Sequence, residues 1–270
     1  VQFELVILDW AAYAAGLTQQ QEWLDWAVSP SPWPATLVDT VPALPEMPAM
    51  MRRRVDRLGR LACQVAYWCQ QQSAAGEVPM VFASRYGDAS RSLALLGDLS
   101  NQVDLSPTGF GLSVHNAVSA LYSIARADTQ NAVVVSAGRA TVLAALTEAA
   151  GLLADGAPEV LVVYYEAPLP GDYGVFQDEP ACEYAWSWRV ARAGSPLANG
   201  QAGKVKLTLN AEGQAADPAP SDLQGAPVGL LALRHMLQQW AAPSSDQTPT
   251  HSWLRTGHGA TRCSWSPLHA

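Results

Sequence analysis

The run AVVVSAGRATVLAALTEAAGLLADG, Ala132 to Gly156, followed at once by EVLVVYY, Glu159 to Tyr165, most narrows what this chain can become. Ala132 to Ser136 is a β-branched run of the kind that fills a buried strand. Gly138 turns the chain into a helix whose apolar face is Val142, Leu146, Ala149 and Leu153, at helical spacing. Glu159 to Tyr165 is a second buried strand. Upstream, Pro79 to Ser84 is a strand, Asp88 is an N-cap for a helix through Leu93, Leu96 and Leu99, and Ser106 to Gly109 is a loop. Ser113 is placed to cap a helix carrying Val114, Val118, Leu121 and Ala125. This β–α–(α)–β–α–β order predicts an α/β fold, a mixed or parallel sheet covered by helices.

The flanks are less regular. Phe3 to Asp9 reads as a short buried strand. Trp10 to Pro48 carries four Trp and six Pro and reads as a packed irregular segment, because Pro interrupts both helix and sheet. Met51 to Gln72 reads as one amphipathic helix through Val55, Leu58, Leu61, Val65 and Trp68. Its first turn would hold Arg52, Arg53 and Arg54, the wrong sign for the helix dipole. Tyr184 to Ala193 and Lys204 to Asn210 alternate like strands with one wet face. Residues 211–226 read as a loop, Val228 to Trp240 as a helix with Leu230, Leu233, Leu237 and Trp240 on one face, and Thr250 to Pro267 as a hairpin turning near Gly257–Gly259.

Composition removes several functions. Charged residues are 15% of the chain, against about 25% in ordinary globular proteins. The net charge is −8 and no basic stripe exists, so nucleic acid is a poor partner. No run approaches the roughly 20 apolar residues of a membrane span. The start, VQFELVILDW, has no basic n-region and no apolar h-region with a cleavage site, so a signal peptide is not expected there. Cys63, Cys69, Cys182 and Cys263 form no CxxC pair, so zinc is not expected, and a disulfide framework would be unusual in a chain this long. No G-x-G-x-x-G or Walker pattern is present, and no cofactor is expected. A cytoplasmic location is the expectation. The low charge is accounted for if a partner buries part of the surface.

A strand-to-helix turn is where several α/β folds hold a nucleophile, because the helix N-terminus stabilises an anion. Here the turn is Ser136–Ala137–Gly138–Arg139 and offers only Ser136. Its V-x-S-x-G pattern lacks the first Gly of a nucleophile elbow. The ordinary reading of such a Ser is a turn residue bonded to backbone. His115 reads as a structural, hydrogen-bonded side chain. No spacing supports a Ser/His/Asp or Cys/His set.

SPTGFGLSVHNAVSALYSIA (Ser106 to Ala125), AVVVSAG, the Ala/Leu helix and EVLVVYYEAPLP together resemble the N-terminal half of a β-ketoacyl synthase. The segments PAMMRRRVDRLGRLA (Pro48 to Ala62) and FASRYGDASRSLALLGDL (Phe82 to Leu99) fit the same family. More narrowly, the chain is similar to half-length ketosynthase-like proteins that serve as chain-length factors in bacterial aryl polyene biosynthesis. The resemblance spans Phe3 to Arg192. It implies a thiolase-like half over residues 1–194, with residues 195–270 as a C-terminal strand, helix and hairpin packed on the same core.

The resemblance also implies what is absent. The family's Cys nucleophile falls at Gly138, or at Ala137 one register off, and its two C-terminal His motifs have no counterpart; Gly257–Thr261 is only superficially similar to one of them. The implied role is therefore non-catalytic. A full-length ketosynthase would pair along Asn131, Ala132, Val133, Val134, Val135 and Ser136, and acyl carrier protein would be met only indirectly. Arg85, Tyr86, Phe110, Leu112 and Ser113 match the places where ketosynthases gate the acyl tunnel. Two other readings stand beside this one: a Ser136 acyl hydrolase or transferase, and a scaffold that never touches substrate.

Overall fold

The computed structural model describes residues 2–29, 40–71, 76, 78–198, 204–210, 226–241, 249–255 and 260–268. In chain order the elements are β1 (Gln2–Ala14), α1 (Gln20–Val28), α2 (Ala49–Arg52), α3 (Arg57–Cys69), β2 (Met80–Ala83), α4 (Ala89–Ser100), α5 (Pro107–Gly111), α6 (Ala117–Arg126) and β3 (Ala132–Val135). A 3₁₀ turn, Gly138–Ala140, leads into α7 (Thr141–Ala154) and β4 (Val160–Glu166). A second 3₁₀ segment, Gly171–Phe176, precedes β5 (Tyr184–Arg192), β6 (Lys204–Asn210), α8 (Val228–Trp240), β7 (Thr250–Arg255) and β8 (Ala260–Leu268).

One eight-stranded sheet runs β3-β2-β4-β5-β1-β6-β8-β7. Its β3, β2 and β4 are parallel, and every later pairing is antiparallel. The mixed sheet expected from the βα alternation is therefore present, and it continues unbroken past residue 194 through the hairpin β7–β8. The turn expected near Gly257–Gly259, and residues 211–225 of the expected loop, lie outside the described residues.

Helices cover both faces. On one, α1, α7 and α8 pack with Leu5, Ile7, Tyr164, Trp186 and Trp188. On the other, α3 and α6 pack with Phe82, Leu161, Val163, Tyr165 and Ala185. Within the first core the Trp186 and Trp188 rings stack at 4.1 Å and Tyr164 stacks on Trp186 at 5.2 Å. Offset aromatic stacks of this kind add to the burial of their large apolar surfaces.

Several sequence expectations need correction. β1 does not stop at Asp9, and Trp10–Ala14 is strand rather than irregular segment; its register with β5 shifts between Ile7 and Asp9. That bulge puts odd residues Leu5 and Ile7 and even residues Trp10 and Ala12 on the same face, which breaks the alternation a strand is recognised by. Gln20–Val28 is helix as well. The helix expected from Met51 is two helices: Asp56 caps α3 by accepting the Gly59 amide at 2.7 Å, so Arg53 and Arg54 sit in the link and not in a first turn. Ser106–Gly109 is not a plain loop, since Ser106 caps α5. Ser113 does not cap the next helix; its hydroxyl donates to the Phe110 carbonyl, and α6 starts at Ala117. The second face of β5 is covered: Ser187 is buried under α3 and donates to the Val65 carbonyl at 2.7 Å. β3, expected to be fully buried, lies half-buried at the edge of the sheet.

Helix α8 meets the sheet with almost no clearance at Gly229. Its carbonyl accepts Trp186 Nε1 at 3.0 Å, and a Cβ there would enter the Tyr164 ring and lie 2.5 Å from the Tyr184 hydroxyl. Both rings are buried and cannot yield. Overpacking at such a contact costs about 1–3 kcal/mol. Gly229→Ala is therefore expected to lower the unfolding free energy measured in urea by that amount, although Ala favours helix. Gly151→Ala, also helical and with nothing within 4 Å, is the control: it should be neutral or stabilising by up to about 1 kcal/mol.

Candidate functional site

The C-terminal ends of β2, β3 and β4 converge on Arg85, the second residue after β2. Its side chain is only 6% exposed, and Nη2 lies 2.6 Å from Asp178 and Nη1 3.0 Å from Glu179. Its backbone N–H donates to the Glu166 carboxylate at 2.5 Å, and its carbonyl accepts the Ser136 hydroxyl at 2.8 Å. The guanidinium also lies over the Tyr86 ring at 4.9 Å, and the Tyr86 hydroxyl donates to the Phe176 carbonyl at 3.2 Å. Arg139, on the turn after β3, pairs with the other oxygen of Asp178 at 2.7 Å. Partial burial works against ionisation of Asp178, but hydrogen bonds from Arg139 and Arg85 prevail and hold its carboxyl down at about 2.

Glu166, the last residue of β4, is buried, and that burial pushes its carboxyl up to about 8 despite the Arg85 N–H, a hydrogen bond with Tyr164 and the Arg85 charge. A neutral Glu166 leaves two cations, Arg85 and Arg139, facing two anions, Asp178 and Glu179.

The turn itself is built on Gly138, at φ +56 with nothing within 4 Å of where a Cβ would stand. The left-handed backbone there is what glycine tolerates best. The Thr141 hydroxyl donates to the Gly138 carbonyl at 2.7 Å and accepts the Ala137 N–H at 3.0 Å. On this turn the Ser136 hydroxyl donates to the Arg85 carbonyl, the kind of backbone bond expected of a turn serine. All four Cys are buried and none forms a disulfide. His115 Nε2 lies 3.1 Å from the Ser84 carbonyl, a structural contact beside Gly87.

Beside this cluster lie two adjoining cavities. One, of about 550 Å³, is bordered by Tyr86, Arg57, Glu183 and Leu169; the second is bordered by Leu112, His115 and Tyr165. They share Asp56, Gly87, Asp88 and Arg91. Asp88 caps α4, as expected, and its Oδ2 takes Arg91 Nε at 2.7 Å. Burial, and a hydrogen bond to Asp88, raise Asp56 to about 6. Tyr86 and Leu112 thus border neighbouring cavities, whereas Arg85, Phe110 and Ser113 border neither. Phe110 is 60% exposed on α5, and no residue of α4 or α5 is buried. Among the described residues no group of three or more His, Cys, Asp or Glu could hold a metal ion, and no helix is long and apolar enough to cross a membrane.

Asp178, Glu179 and Glu166 organise this site, and sequence reasoning passed over them. The first two lie in the irregular stretch after Ala167, where no periodicity marks them. The polar end of the otherwise apolar β4 is the one signal that singles out Glu166.

The pH dependence of stability follows from Glu166. Its folded pKa is raised, so the folded state binds the proton more tightly, and stability falls as pH climbs from the ordinary carboxyl range towards about 8. Glu166→Gln keeps an acceptor for Arg85 N–H and removes the charge. Urea melts at about pH 5 and about pH 9 should show the variant gaining on the wild type as pH rises; a constant difference would mean that Glu166 does not titrate in this window.

Comparisons with known proteins follow this geometry. The family model described as "Beta-ketoacyl synthase, N-terminal domain" matches residues 23–254, past the Arg192 limit of the motif resemblance. The chain is similar to a chain of the ketosynthase ApeO in complex with its chain length factor ApeC from Xenorhabdus doucetiae, with 26% identity and TM-score 0.74 over 97% of this chain and 98% of that one. It shares its fold with a chain of the ishigamide ketosynthase/chain length factor, at 15% identity and TM-score 0.69 over 98% and 99%. A β-ketoacyl synthase from Burkholderia phymatum STM815 gives 11% identity and TM-score 0.60 over 99% and 100%. No curated protein matches. With a thiolase-like sheet, a turn built on Gly138 and a family match over most of its length, the chain belongs to the β-ketoacyl synthase N-terminal domain family.

Proposed function

We propose that this chain is a non-catalytic, chain-length-factor-like subunit that pairs with a full-length β-ketoacyl–acyl carrier protein synthase and shapes its acyl tunnel, in polyene or fatty-acid-type biosynthesis of the aryl polyene kind. The observation that carries the reading is Gly138, at the turn where the family resemblance expects the Cys nucleophile. The end-to-end likeness to a chain of a ketosynthase–chain length factor complex supports it. The partner would supply the nucleophile and the groups that stabilise the enolate, the electrostatic share of such a reaction. Acyl carrier protein would deliver to that partner.

The sheet edge supports the partner surface assigned to Asn131–Ser136. Met80 N–H bonds the Asn131 carbonyl and Ser84 N–H bonds the Val135 carbonyl, so the odd residues of β3 face β2. The backbone groups of Ala132 and Val134 point the other way, off the edge. A short apolar edge of this kind is a template for pairing and is normally covered. The exposed arm α4–α5, with Leu96, Leu99, Leu105 and Phe110 at its surface, supports the same reading. Tyr86 and Leu112 would set the tunnel from the two adjoining cavities, and Phe110 would reach the partner's side from the end of the arm.

Two substitutions test this. Val134→Pro removes an outward N–H that β2 does not use, so the chain should stay folded while co-purification with its ketosynthase is lost; a 1:1 complex that survives would overturn the edge assignment. Phe110→Ala in an intact complex should lengthen the acyl product. An unchanged product distribution would remove Phe110 from the tunnel and favour a scaffold. The Ser136 hydrolase reading is separated from both by labelling with an active-site serine reagent, which should leave this chain unmodified.

A further inference from the structure

The C-terminal helix and the loop after β2 are far apart in sequence but meet at one side chain. Helix α8 begins at Val228 behind Pro227, which has no side-chain donor or acceptor to cap it. The cap comes instead from Glu179: its Oε2 accepts the Val228 N–H at 3.3 Å. The other oxygen of the same carboxylate lies 3.0 Å from Arg85 Nη1, an ion pair whose alignment falls short of a hydrogen bond. A carboxylate at a helix N-terminus is stabilised by the exposed N–H groups and the dipole. One anion therefore serves a helix start and a guanidinium that is 6% exposed.

The segment that carries Glu179 is tied back on itself by Gln177. Gln177 donates from Nε2 to the Glu179 carbonyl at 2.9 Å and accepts the Leu169 N–H at 3.1 Å, closing the strap between β4 and β5. Arg85 in turn is fixed on three further sides, by Asp178, by Glu166 and by the Ser136 hydroxyl, and stacks on Tyr86. A displacement of the α8 start thus has a short, charge-bearing route to Tyr86, which borders the larger cavity.

We infer that Glu179 is a positioning residue that couples the first turn of α8 to Arg85 and Tyr86, so that the seating of the C-terminal helix sets the wall of the tunnel-facing cavity. The tunnel part of this statement rests on the function proposed above; the coupling does not. Two changes address the same contact from opposite ends. Glu179→Gln keeps the size and an acceptor and loses the charge. Val228→Pro removes the donor and exchanges the buried Val228 side chain for a ring of similar size, at a first helical position where Pro is accepted, behind a Pro227 whose φ −59 and ψ 148 already suit a following proline.

Amide hydrogen exchange in the full chain is the first readout. Each single variant should speed exchange at residues 84–87 as well as at the start of α8, on the order of tenfold, the size of one charge-assisted hydrogen bond. In the Glu179→Gln background, Val228→Pro should add nothing further at residues 84–87. Glu179→Asp, which keeps the charge, should restore part of the protection. Faster exchange confined to α8, or additive effects at residues 84–87, would overturn the coupling, and either single variant suffices if the other does not fold. The second readout is the product length of the co-expressed pair. If exchange at residues 84–87 responds while product length does not, the coupling stands and the tunnel assignment of Tyr86 fails.

Discussion

β1 is hydrogen-bonded along both of its edges, to β5 on one side and β6 on the other, and that double pairing holds the molecule together. Without it the strands on the β5 side and the C-terminal hairpin would be two sheets, each with a raw edge. Its length, 13 residues, lets it reach across the whole face, and the bulge after Ile7 keeps large side chains on the α1–α7–α8 side before and after the shift. Helix α8 then packs against strands from both sides of that junction. The tail is thus a continuation of the sheet in hydrogen bonding, and in packing it shares one core with Trp186, Trp188 and Trp265.

The middle of the fold was legible because each local signal agreed with its neighbours. Asp88 caps where a cap was expected, Val142, Leu146, Ala149 and Leu153 are all buried, and β4 is buried throughout. The misreadings share a physical cause. Where burial departs from a simple period, the pattern no longer reports the structure. The β1 bulge changes parity in mid-strand. Asp56 starts a new helix inside an apolar run. Ser187 and Arg189, on the second face of β5, look solvated in sequence, yet one is bonded to α3 backbone and the other is paired with Glu159.

The candidate site was legible by half. The turn at Gly138 and the residues Arg85 and Tyr86 stand out through the strand-to-helix pattern and the family motifs. What surrounds them does not, because Asp178, Glu179 and Glu166 are brought to Arg85 from about 80 to 94 positions away, a distance no local pattern spans. A buried cation is tolerated only where anions meet it, since an uncompensated buried charge is strongly destabilising. That requirement makes the ion-pair cluster a unit. It also gives the strap after β4, irregular in sequence, its charged anchor points at Arg85 and Arg139.

The edge at β3 has a consequence for how the chain behaves in a cell. Every residue but proline offers the same backbone donor and acceptor, so a strand edge by itself cannot tell a foreign strand from a second copy of its own chain. Only side chains discriminate, and β3 offers little beyond four small apolar ones. On the pairing proposed for this edge, fidelity must therefore be written elsewhere, on the surfaces that flank it, and chains made in excess of their counterpart would meet one another first. The relative timing and amount of synthesis then become part of the assembly code.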